Sequence, residues 1–290
     1  MPAWRLRAVA ALVVLVSSCS AGSAGSAGSR SVPTADRERH PSRAGASAAR
    51  PAPVVLIVME NHSYGQVIGN AEAPYLNRFA ERGTLFARMH AIAHPSLPNY
   101  LALTSGSTLG CSSDACPTRS FRTKNLFSQL RGHGIRWRAW EESMPDRCAL
   151  GDAGRYAVRH DPPPYYRNLF PRSCRRHDRP YPARLPDRIP GFTVVTPNLC
   201  HDMHDCSVAA GDAWARSHVP PLLRRGAIVV ITFDEGAGSD RIYCAARGPG
   251  VGHGVRRLRS FTHYSVLAGI ERHFGLRRLR RAADARPLPL

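Results

Sequence analysis

Apolar and polar positions change places in short blocks along most of the chain. "VVLIVM", residues 54–59, is a continuous apolar run that stops abruptly at Glu60-Asn61. Similar runs follow at 84–89, 136–140, 192–196 and 227–233. Short runs without polar alternation suit strands covered on both faces, as parallel strands are. Between them lie segments of helical character at 74–82, 97–104, 125–131, 208–225 and 264–274. The alternation predicts an α/β fold, a doubly wound, mostly parallel sheet with helices on both faces. No internal repeat interrupts it. The Pro- and Arg-rich residues 155–190 read as one long irregular excursion that could cover one side of a site.

Ligands of open α/β sheets sit beyond the carboxyl ends of the strands. Three expected strand ends carry unusual polar residues: Glu60-Asn61, Asn198 with "CHDMHD", and Asp234-Glu235. One acid after a strand is ordinary helix-capping chemistry, but three at equivalent places form a pattern. Glu60, Asn61, Asp234 and Glu235 together offer three carboxylates and an amide oxygen, a hard-oxygen set that suits one divalent cation. Left alone, buried acids repel one another and take up protons. The competing resolution is neutralisation by arginine. A further element is "AHPSLPNYLALTSG", which puts Ser96 near the start of an apolar helix, where backbone N–H groups and the helix dipole favour an anion. A serine hydroxyl is a poor nucleophile unless a base or a metal activates it, and Ser96 taken alone is equally good capping chemistry.

At 290 residues the chain has room for one large α/β domain or two small ones. Residues 1–19 read as an export signal: Arg5 and Arg7, an apolar stretch from Ala8, then Ser17-Ser18-Cys19. The apolar stretch is too short to span a bilayer permanently. "VSSC" resembles a lipobox, so Cys19 is either a lipidated membrane tether or part of a signal for plain secretion. Residues 20–50 are small, polar and aperiodic, a flexible linker. Residues 51–276 make the catalytic domain, and 277–290 a basic tail. The formal charge of +19 is nearly all arginine, with Lys124 the one lysine. Such a balance fits nucleic acid, an anionic membrane or anionic substrates, or simply an arginine-rich codon usage. Basic runs such as "GVRRLRS" near the C-terminus read as solvated. Eight cysteines in an exported chain argue for disulfides. Cys111 with Cys116, Cys200 with Cys206 and Cys148 with Cys174 are the expected pairs, leaving Cys244 as a buried free thiol. No spacing is a CxxC pair of a zinc site.

"MENHSYGQVIG", "HPSLPNYLALTSG", "TPNLCHDMHDCSVAAGDAW", "VVITFDEG" and "THYSVLAGIERHFGL" together resemble the bacterial phosphoesterase family, in the same order and from about Val54 to Leu276. That family includes secreted acid phosphatases and phosphatidylcholine-cleaving phospholipases C, within the alkaline-phosphatase-like superfamily; the shorter acid phosphatases are the better likeness. The resemblance implies that Ser96 is the nucleophile. It implies that Glu60, Asn61, Ser96, Asp234 and Glu235 hold one divalent metal ion. His204 and His263 match histidines that face the phosphate, and His160 matches a further one. His201, Asp202 and Asn99 are placed to bind substrate. His94 and His253 are left to supporting or surface roles. The chain departs from the family pattern after Asp234-Glu235, where the strand is more polar and carries Cys244 in place of an aliphatic residue.

The expected function is that of an exported acid phosphatase working on a small phosphorylated substrate. That substrate is a phosphomonoester, with phosphoinositide or nucleotide among the possibilities, and reaction runs through a phosphoserine intermediate. Histidines set among phosphates charge readily below neutrality, which predicts an acidic optimum. The alternatives are a phosphodiesterase or phospholipase C on the same site, and a non-catalytic exported protein that binds anions or nucleic acid. The last leaves three acid-bearing strand ends unexplained.

Overall fold

Val54–Met59 (β1) is buried along its whole length, with no side chain above 1% exposure. Side chains of a strand alternate between the two faces, so complete burial means that both faces of the sheet are covered there. Along the chain follow α1 (Tyr64–Val67), α2 (Pro74–Glu81), β2 (Thr84–His90), α3 (Ser96–Ser105), α4 (Leu126–Gly132) and β3 (Trp137–Glu141). The second half brings α5 (Arg172–His177), β4 (Asp178–Pro180), β5 (Phe192–Thr196), α6 (Val208–Arg224), β6 (Ile228–Phe233), β7 (Arg241–Ile242), β8 (Cys244–Arg247), β9 (Val255–Thr262) and α7 (His263–His273). This computed structural model describes residues 50–290. The expected export segment 1–19 with Cys19, and the expected linker up to residue 49, lie outside the described residues. Among those described, no helix is long and apolar enough to cross a membrane.

The strands form one mixed, mostly parallel sheet in the order β4-β3-β5-β1-β6-β8-β2-β7, with β9 on the other side of β2. β4, β3, β5, β1 and β6 run parallel, and β9 runs parallel to β2. β8 is antiparallel to both β6 and β2. The reversal follows from chain length: the segment joining β6 to β7 is too short for the crossover that a parallel return requires.

α2 packs against α6, and α3 against α7. Asp212 of α6 fixes the first pair, accepting the backbone N–H groups of Tyr75 and Leu76 at 3.1 and 2.8 Å. α3 is buried on all sides and stops at Gly106, whose φ of 75° suits glycine. A side chain there would also run into the Leu279 carbonyl.

Of the two basic segments read as solvated, "GVRRLRS" is exposed as expected and the C-terminal one is not. Residues 277–290, set apart above as a basic tail, fold back on the domain: Ala282 and Leu288 are fully buried, and the Leu288 N–H donates to the Ser265 carbonyl of α7 at 3.0 Å. "GVRRLRS" contributes most of β9, which among the described residues is an edge strand paired with β2. An edge strand needs no apolar face, and its arginines discourage pairing with other edges. Three disulfides form, Cys111–Cys116, Cys148–Cys174 and Cys200–Cys206. Cys244 is free and buried in β8.

Candidate active site

β5, β1 and β6 are adjacent and parallel, so their carboxyl ends lie on one edge of the sheet. That edge is where the three acid-bearing segments meet. The Glu60 N–H donates to the Asp202 carbonyl at 2.9 Å, and the Asp234 N–H donates to the Met59 carbonyl at 2.9 Å. Asn61 takes the left-handed conformation, φ 54°, which asparagine tolerates better than most residues. The turn aims its N–H at Asp234 Oδ1, 3.1 Å away.

Glu60, fully buried, is the centre. Ser96 Oγ donates to its Oε2 at 3.0 Å and Tyr100 Oη to its Oε1 at 2.6 Å. Ser96 and Tyr100 are four residues apart on α3, hence on one face. The Asp234 carboxyl lies beside Ser96 and Glu60, both of which act on its protonation. The excursion delivers His160, stacked on Tyr100 with ring centroids 5.4 Å apart. Its Nε2 is 3.3 Å from Glu60 Oε2, and its Nδ1 is 3.5 Å from Asp202 Oδ2.

Around this centre the remaining candidates divide. His263 Nε2 donates to the Asp234 carbonyl at 2.5 Å, which leaves Nδ1 as a buried acceptor without a partner. His204 and His201 are partly exposed, paired with Asp205 at 2.7 Å and Glu142 at 2.9 Å. Glu235 pairs with His94 at 2.9 Å, and Asp240 holds the other side of that ring at 2.7 Å. Asn99 uses its amide on the loop that precedes α3. It is fully buried; its Oδ1 accepts the Ile92 and Ala93 N–H groups, and its Nδ2 donates to the Ala93 carbonyl at 2.8 Å. Asp114 accepts the Leu97 N–H at 2.9 Å, taking one of the free donors at the start of α3. Sequence reasoning missed Tyr100, Glu142 and Asp240. Glu142 carried a usable signal, since it follows β3 directly and is a fourth acid at a strand tip. Tyr100 was visible only as the residue one turn after Ser96.

Burial, reinforced by Asp234 and Asp202, holds the Glu60 carboxyl well above the usual range. Burial likewise raises Asp234, pushes Asp202 up to about 8 and Glu235 to about 7. Among the described residues no arginine pairs with any of the four; the arginine ion pairs go to Asp114, Asp152 and Asp146 instead. Asp234 Oδ2, Asp202 Oδ2 and His263 Nδ1 are buried without partners. Glu60, His160 and Asp202 bring potential ligand atoms within 4.8 Å of one another. Hard oxygens in excess, a neutral imidazole and orphaned acceptors are a donor set that fits a divalent cation.

The sequence matches the phosphoesterase family over residues 70–277. It is also 34% identical over 264 residues to a phosphatidylinositol-3-phosphatase of Mycobacterium tuberculosis, covering 84% of each chain. The chain belongs to the phosphoesterase family. An acid phosphatase of Aspergillus fumigatus is 26% identical over 75% of this chain, which spans about half of that relative, 54% of its length. A solved protein of the alkaline phosphatase superfamily from Vibrio parahaemolyticus shares the fold, with a TM-score of 0.54 at 11% identity, over 80% of this chain and 70% of that one. This phosphoesterase is thus a phosphoric ester hydrolase with a mostly parallel α/β sheet. Its two innermost histidines are held neutral: burial lowers His160 well below the imidazole range and His263 to about 4. Burial thus favours uncharged rings at these two positions, where histidines set among phosphates were expected to charge readily.

Proposed function

We propose that this phosphoesterase is an exported acid phosphatase that cleaves phosphomonoesters through Ser96, with one divalent cation as cofactor. The observation that carries the reading is the contact of Ser96 Oγ with Glu60 Oε2 at 3.0 Å, beside Asp234, on the shared edge of β1 and β6. Glu60, Asp234 and Ser96, with Asn61 and Glu235 beside them, would hold the cation; when bound, it lowers the pKa of a hydroxyl and offsets charge on phosphoryl oxygens. Glu60 orients the Ser96 hydroxyl, and Tyr100 keeps Glu60 in place. Ser96 attacks phosphorus as its hydroxyl proton passes to Glu60 Oε2, and a phosphoserine forms as the ester oxygen leaves; Glu60 returns that proton to Ser96 when the phosphoserine is hydrolysed. His204, partly exposed with Nδ1 held by Asp205, delivers the proton to that oxygen, and in the second step takes one from the water that hydrolyses the phosphoserine. His160 is fixed between Glu60 and Asp202 and serves as a neutral N–H donor. The phosphatidylinositol-3-phosphatase likeness supports phosphoinositides among the candidate substrates. Three disulfides support an oxidising, exported setting.

Ser96→Ala should lose on the order of 10⁴-fold or more in turnover while keeping its melting temperature. Acid-quenched wild-type enzyme should carry phosphate on Ser96. Near-normal turnover by the alanine variant rejects the nucleophile. Turnover of a nitrophenyl phosphomonoester against the corresponding bis-ester separates a monoesterase from a phosphodiesterase or phospholipase C. Full activity in protein shown to be metal-free removes the cation from the reading.

A further inference from the structure

A second group of buried acids lies outside that site. Glu141 ends β3, Asp178 begins β4 and Asp161 follows His160 in the excursion; their carboxylate oxygens come within 4.8 Å of one another. None of the three exceeds 1% exposure. Asp178 sits opposite Ala139 in the parallel register, so Glu141, two residues further along β3, shares its face. Tyr156 Oη donates to Asp161 Oδ2 at 2.7 Å, while the Thr196 hydroxyl beside Glu141 donates to the His160 carbonyl at 3.2 Å. That does not suffice. Glu141 Oε1, Asp161 Oδ1 and Asp178 Oδ1 remain buried with no partner. In a chain with 40 basic residues, no arginine, lysine or histidine among those described pairs with any of the three; the arginine ion pairs lie elsewhere. Three like charges in so small and dry a space are costly unless something positive lies between them.

We propose that Glu141, Asp161 and Asp178 form a second, structural binding site for a hard divalent cation of the Ca²⁺ class. The donors are all oxygen, as such ions require, and each contributes an atom that no other described residue satisfies. The ion ties edge strand β4 and β3 to the excursion at the corner already stapled by Cys148–Cys174. Because Asp161 is the neighbour of His160, the same ion holds the base of the segment that sets His160 against Glu60. No ligand is shared with the Glu60 group, so the proposal does not rest on the catalytic reading.

The test is Ca²⁺ uptake per chain, measured on the full chain after dialysis against a chelator, together with melting temperature. Wild type should bind one more Ca²⁺ than Asp178→Asn or Glu141→Gln, and Ca²⁺ should raise the melting temperature of the wild type but not of those two. Asp234→Asn, altered in the other group, should keep the triad's ion and its thermal shift, whatever happens to catalysis. Equal Ca²⁺ uptake by wild type and both triad variants overturns the proposal, because the acids then share protons instead. Folded Asp234→Asn that takes up no Ca²⁺ overturns it as well, and that result needs no triad variant to fold.

Discussion

Glu60 has no exposed surface, yet Ser96, Tyr100 and His160 all reach its carboxyl group and Asp234 lies beside it. Tyr100 is the partner whose removal is most informative, because Phe keeps the stacking on His160 and deletes only the hydroxyl. A buried carboxylate oxygen that loses its donor costs about 1–3 kcal/mol. If that cost falls on the catalytic arrangement, Tyr100→Phe should lower kcat/KM by roughly 10- to 100-fold with little change in melting temperature. Unchanged kinetics would reduce Tyr100 to packing. The acids themselves were legible in the sequence, since each follows an apolar strand with no local reason to be there. The contact of Tyr100 with Glu60 was not. Helical spacing says which residues share a face of α3, but not what that face meets.

At the scale of elements, the continuous apolar runs gave up their positions readily, and β1, β5 and β6 lie within a residue of expectation. β9 and β4 were invisible because an edge strand carries no apolar pattern, and residues 178–180 are too few to show a period. The C-terminal segment was misjudged for a related reason: Leu279, Ala282 and Leu288 are spaced without period among arginines, although all three are buried. Leu288→Ala should therefore cost about 2–4 kcal/mol, as truncation of a buried leucine does, and lower the melting temperature by roughly 5–15 °C. A shift of under a degree would mean that this segment is not packed on α7 in solution.

For the molecule as a whole, the uneven placement of charge matters more than its sum. Many of the acids are buried while most arginines remain outside, so stability should vary with pH even where activity does not. Glu271, buried in α7 and remote from both acid groups, is the simplest gauge: burial pushes its carboxyl up to about 8. An acid raised by folding costs nothing while it stays protonated, and the penalty grows as pH climbs from the ordinary glutamate range towards that value. Glu271→Gln should thus gain on the wild type in melting temperature between pH 5 and pH 9. An advantage that stays flat over this range would contradict the assignment. Glutamine keeps an oxygen to accept the Leu279 N–H, as Glu271 Oε1 does now at 3.0 Å.

Cys200 and Cys206 close a ring of a few residues, and inside it stand His201, Asp202 and His204. Opening that ring would free the backbone that carries all three, including the carbonyl that receives the Glu60 N–H. Two sulfur atoms and the geometry of the loop after β5 thus form a single variable. A freshly made, still reduced chain would have every chemical group it needs and no fixed place to put three of them.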